Sequence, residues 1–323
     1  MINSVRNTVL SVLNKNNYGY ISPSDFNLYA KQAQMEMYEE YFSSYNKGVN
    51  MENSRLSGTD YADVVRTLAE VLETFLSTNY LTPVLAPTGV SVNQYYMPSL
   101  ITTGDAAYMM NKVLCYTSQI TNGTNSAVSV YSLVDGTATF VTDGILFGDV
   151  VVNTNTGAVA SVTSVVGQTA LLLDADIFTS TPQTYRIYSS ASVSEAEKVS
   201  SGKITLLNNS LLTTPSNQFP AYVQYGDTIK VYPSTINFFG QVQATYFRYP
   251  LDPKWTYVTL TNGEPSFDQS QPDYQDFELP LEDEFKLVMK ILQYCGVSIR
   301  ENEVAAFAMG QEQHEQPTFS QQQ

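Results

Sequence analysis

Between Val128 and Ser189 the chain is built from Val, Thr, Gly, Ser and Asn, with almost no Lys, Arg or Glu. Short apolar runs alternate with turns. VSVYSLV is followed by Asp135-Gly136, TATFV by Asp143-Gly144, and GDVVVNTNTGAVASVTSVV, with Thr156-Gly157 inside it, by TALLL and TYRIYS. β-Branched residues suit a pleated, half-buried surface, and Gly after Asp or Thr marks a turn. The stretch therefore predicts short strands and hairpins. Composition switches at about Asn122 and again near residue 190, so residues 122–190 are expected to form a small inserted β-domain. GxVxxVTSVxxxTALLL invites comparison with carbohydrate-binding or surface-adhesive modules, but the sequence displays no aromatic platform, and a purely structural module is the weightier reading.

The flanks read differently. Ile2 to Leu13 carries Val5, Val9, Val12 and Leu13 on one side of a short helix. Ser22 caps the next helix, with Pro23 in its first position and Asp25 in its third. That helix is expected to run from Ser24 to near Tyr45 with Phe26, Tyr29, Ala30, Ala33, Met37 and Tyr41 as its buried stripe. Asn46 to Ser57, polar and holding Gly48, reads as a loop. A further helix starts at Asp60, and Pro83 and Pro87 stop the helical pattern. Val90 to Pro98 reads as extended or irregular, and Asp105 to Cys115 fits a short helix and a strand alike. Residues 1–121 are thus grouped as the N-terminal helical part of a core.

Residues 191–309 complete that core. Phe219 to Pro233 and Phe239 to Pro250 alternate like antiparallel strands, the first turning at Gly226-Asp227. Pro250 and Pro253 restrict the backbone around the only Trp, Trp255. After an acidic loop, Phe285, Val288, Met289 and Leu292 recur as one helical face, with Glu282, Asp283 and Glu284 in the first turn, where carboxylates meet the helix dipole favourably. Cys295 and Gly296 are expected to end this helix, and Ser298 with Glu301 gives capping-box spacing for another through Val304 and Phe307. Residues 310–323 read as a polar tail. The fold class is α+β: a helical core platform with an antiparallel β-sheet segment and the inserted β-domain. Trp255, Tyr249, Phe285, Val288, Leu292 and Phe307 are the candidate packing and interface residues.

Charge and chemistry narrow the function. Lys and Arg total 16 against 31 Asp and Glu, a formal net charge of -15. A nucleic-acid binder needs basic side chains to neutralise phosphates, so general DNA or RNA binding is disfavoured. The 23 Tyr residues suit interfaces, since each offers rigid contact area with a polar tip. His314, the single histidine, lies in the polar tail, so no histidine-based triad, base or zinc cluster is expected within a core. Cys115 and Cys295 read as buried, reduced thiols. Asp268, Asp273, Asp276, Glu278, Glu282, Asp283 and Glu284 supply carboxylates from which an acid pair for glycoside hydrolysis could be drawn; capping and solubility account for them as well. Asn14 to Asp25 has EF-hand spacing but offers amides and Tyr18 where calcium needs converging carboxylates. No nucleotide-binding glycine loop is present. Neither a secretory signal nor a stretch of membrane-spanning length is expected, and no catalytic residue, cofactor or metal is expected.

The opening helices, the GDVVV insertion, YGDTIKVYP, YFRYPLDPKW and DFELPLEDEFKLVMKILQYCGVSIRE resemble virion structural proteins of tailed bacteriophages, particularly the ring proteins between portal and tail of crAss-like podoviruses. The resemblance spreads over most of the chain and rests on no catalytic signature. It implies self-association into a closed, twelvefold ring in the head–tail connector or neck. The portal or an adjacent ring protein and tail or fibre (muzzle) proteins would be the neighbours. The ring would sit at the head–tail interface of a virion assembled in the host cytoplasm, with DNA as passing cargo during ejection. The long β-insertion departs from the minimal helical adaptors of that family, which keeps open a fibre-associated or carbohydrate-binding role and, more remotely, a wall-degrading virion enzyme.

Overall fold

Helices gather at the two ends of the chain and strands in its middle. The computed structural model describes residues 1–14, 21–53, 61–85, 91–261 and 263–299. Helices α1 (Ile2–Asn14), α2 (Pro23–Asn53) and α3 (Tyr61–Glu73) come first. Strands follow: β1 (Leu76–Tyr80), β2 (Pro83–Leu85), β3 (Ser91–Tyr96), β4 (Ala107–Tyr116), β5 (Gln119–Thr124), β6 (Ala127–Ser129) and β7 (Ser132–Val134). Next are β8 (Val150–Asn153), β9 (Val159–Val165), β10 (Ala170–Leu173), β11 (Thr184–Tyr188), β12 (Val193–Glu195) and β13 (Glu197–Lys198). A short helix, α4 (Ser201–Asn208), precedes β14 (Ala221–Tyr225), β15 (Thr228–Tyr232) and β16 (Val242–Arg248). The hairpin β17 (Tyr257–Thr259) and β18 (Pro265–Phe267) leads to α5 (Glu284–Ile299). The fold is α+β. Its contacts divide the chain into two units, one of Met1–Phe75 with Pro250–Gln323 and one of Leu76–Tyr249.

The first unit is helical. Ile2, Val5, Val9 and Leu13 of α1 are buried, and α5 packs against both α1 and α2. The Ser22 hydroxyl accepts from the Asp25 N–H at 3.2 Å and donates to its carboxylate at 2.6 Å, which fixes the start of α2. Two helices run further than expected. α2 continues through Gly48 to Asn53, and a Cβ at Gly48 would lie 2.6 Å from Cγ2 of Val65 on α3. Gly48 thus serves the close approach of two helices rather than a turn, and that packing outweighs its poor helix propensity of about 1 kcal/mol. α5 likewise passes through Gly296 to Ile299, with Cys295 fully buried, so Ser298 lies within this helix instead of capping a new one. The remainder of that expected helix, the tail, His314 and residues 15–20 of the EF-hand-like loop lie outside the described residues.

The described residues of the second unit form three sheets. The four-stranded order is β1-β16-β4-β12 and the five-stranded order is β13-β14-β15-β3-β2, antiparallel throughout except for β13 against β14. The two share one core, in which Tyr95, Val113, Ile229, Val231, Val242 and Tyr246 meet. Residues 76–121, grouped with the helices on sequence, hold β1 to β4 and the start of β5. Pro83 sits in the edge strand β2, where a missing N–H costs no ladder bond.

The third sheet runs β5-β11-β8-β9-β10-β7-β6. β5 leads through Asn125 straight into β6, yet these strands stand at opposite ends of the order. The stretch 119–129 pairs with β11 through its first half and with β7 through its second, closing the sheet on itself. Leu133, Phe140, Val151, Val162, Leu171 and Ile187 fill the interior. Three buried polar side chains pin the closure. Asn125 donates to the Ser180 carbonyl and accepts from the Gln183 N–H, Asn153 donates to the Ile177 carbonyl, and Asp135 accepts from the Tyr185 hydroxyl at 2.8 Å. Burial opposes ionisation of Asp135, but bonds from the Thr137 hydroxyl and N–H, Tyr185 and the Thr124 N–H outweigh it and hold the carboxyl below its usual range. VSVYSLV, one apolar run in the sequence, is a hairpin turning at Val130-Tyr131, with Tyr131 at φ 53°. TATFV is a turn that delivers Phe140 to the core, not a strand.

Candidate interaction surfaces

Trp255 is held from several sides within the helical unit. The Asn27 side chain clamps its backbone, accepting from the N–H at 2.8 Å and donating to the carbonyl at 3.2 Å. Its indole N–H donates to Asn3 Oδ1 at 3.1 Å. The Arg6 guanidinium lies 3.7 Å from the ring centroid, and Tyr257 and Phe267 stack at 5.6 and 5.9 Å. Lys254 and Gln275 exchange backbone hydrogen bonds beside it, and Lys254 Nζ pairs with Asp273. With 2% of its surface exposed, Trp255 is an internal anchor joining α1, α2 and the β17–β18 hairpin.

The other candidates separate. Val288 and Leu292 are buried in α5 alongside Leu287, Ile291 and Cys295. Phe285 is 53% exposed. Seven residues apart, Phe285 and Leu292 differ by only about 20° around the helix, so position along the axis leaves Phe285 outside; burial starts at Leu287. Lys290 is buried with its amine 3.2 Å from Glu36 and 3.6 Å from Glu40. Tyr294 stacks on Tyr29 and donates to Glu36. Tyr249 belongs to the second unit, where it is partly exposed and meets Tyr108 edge-on at 5.3 Å. Phe307 lies outside the described residues.

Five of the seven carboxylates from which an acid pair could be drawn act as local acceptors. Asp276 caps α1, taking the Met1 amine at 2.9 Å and the Ile2 N–H at 2.8 Å. Partial burial pushes its carboxyl up, but the Met1 amine and the Ile2 and Phe277 N–H groups more than offset this and hold it below its usual range. Asp268 is held low by the Ser270 hydroxyl and N–H and by Gln271, and Asp273 by Lys254. Glu278 accepts from the Leu251 N–H, and Asp283 from the Tyr41 hydroxyl. Each shift among these runs opposite to that of a general acid. Burial pushes both thiols, Cys115 and Cys295, up to about 12, which makes them poor nucleophiles. Among the described residues, no group of three His, Cys, Asp or Glu is placed to hold a metal ion, and no helix is long and apolar enough to cross a membrane. A shallow cleft beside Lys112, Glu195, Lys198 and Tyr222 mixes both charges, and Lys198 already donates to Gln224.

Sequence reasoning missed the apolar side chains displayed by the second unit. Leu211 and Leu212 are 100% and 97% exposed in the loop after α4, and Ile101 is 96% exposed in the loop after β3. The available signal was local: no charged residue stands between Lys203 and Asp227, although Leu206, Leu211, Leu212 and Phe219 lie there. The closed sheet displays Tyr131 and Phe147. Comparison with protein-family models and with curated proteins returns no match.

Proposed function

We propose that this chain is a virion structural subunit that assembles into a closed ring in a phage head–tail connector, joining portal to tail around the DNA channel without catalysis of its own. The observation that carries the reading is the contrast between the two kinds of side chain. The thiols and most of the clustered carboxylates are engaged in holding the fold, whereas large apolar side chains stand in solvent on hydrogen-bonded loops. Exposed apolar surface of this kind serves contact with other proteins. The phage resemblance names the setting, and the net charge of -15 suits a channel wall along which phosphates slide without sticking.

Electron microscopy of the purified protein, alone and with portal and neighbouring virion proteins, tests this. The expected result is class averages with one rotational symmetry. A chain that stays monomeric in both preparations refutes the ring. A second reading, glycan or fibre contact by the closed sheet, draws on Tyr131 and Phe147 at its surface; loss of host-cell or glycan binding in Tyr131→Ala and Phe147→Ala would favour it over the connector.

A further inference from the structure

We draw no further inference here: the strongest candidate, the apolar surface patch of Leu206, Leu211, Leu212 and Phe219 around the loop from α4 to β14, stands exposed, and nothing in the structure shows what covers it.

Discussion

Replacing Trp255 by Ala removes the centre of the helical unit. A buried aromatic side chain withdraws about 150–250 Å² from water, worth about 4–6 kcal/mol at about 25 cal/mol per Å². Ala restores part of that, and Trp-to-Ala changes in cores cost about 3–5 kcal/mol. Here the upper part of the range is expected. The Arg6 guanidinium loses the ring 3.7 Å away, Tyr257 and Phe267 lose their stacking partner, and Asn3 loses the indole donor. Trp255→Phe keeps most of the ring contact and loses the Asn3 bond, so it should cost about 1–2 kcal/mol. Urea unfolding followed by ellipticity at 222 nm is the suitable assay, because α1, α2, α3 and α5 all belong to this unit and, among the described residues, only the short α4 lies in the other. The transition is fitted for the helical signal alone, since two units need not unfold together. A loss below about 1.5 kcal/mol for Trp255→Ala would refute the anchor. Equal losses for Ala and Phe would refute the partition, placing the energy in one hydrogen bond rather than in the ring.

Asp276 predicts acid sensitivity: its carboxyl is held below the unfolded value of about 3.8, so its contribution is complete above that pH and is lost as pH falls through the lower folded value. Asp276→Asn should cost about 1 kcal/mol at pH 7, a modest figure for a cap that is 36% exposed, and the gap from wild type in urea midpoints should close below pH 4. A gap constant between pH 7 and pH 2.5 would exclude the linkage. Gly48→Ala should destabilise the helical unit by about 1–2 kcal/mol despite better helix propensity, because the new Cβ meets Val65; recovery in the double variant with Val65→Ala checks the cause. Tyr131→Gly should stabilise the closed sheet by about 0.5–1 kcal/mol by relieving a left-handed backbone. It is read as slower hydrogen exchange at the Leu173 N–H, which donates to the Tyr131 carbonyl; faster exchange there would show that the Tyr side chain stabilises the turn.

Much of the architecture follows from local pattern. The 3.6-residue spacing of Ile2, Val5, Val9 and Leu13 determines a helix and its buried side together, because one face must leave water. Ser22, Pro23 and Asp25 fix the start of α2 by bonds that close within four residues. The strand-rich composition from 122 to 190 reflects β-branched side chains that suit a pleated, half-buried surface. What tertiary structure decided is of another kind. Gly48 and Gly296 look like stops until a neighbouring helix or a buried surface holds them in place. Val130-Tyr131 carries no turn residue, and the turn exists because β6 and β7 are held to their neighbours in the closed sheet. Phe285 and Leu292 share a helical face, but only the placement of the covering helices separates the exposed ring from the buried one. Trp255 was legible as an anchor from its prolines, whereas its partners Asn3, Arg6 and Asn27 lie more than 200 residues away in sequence and no local pattern names them. The same limit hid the two apolar loops: sequence records that they lack charge, and only the fold leaves their side chains facing water.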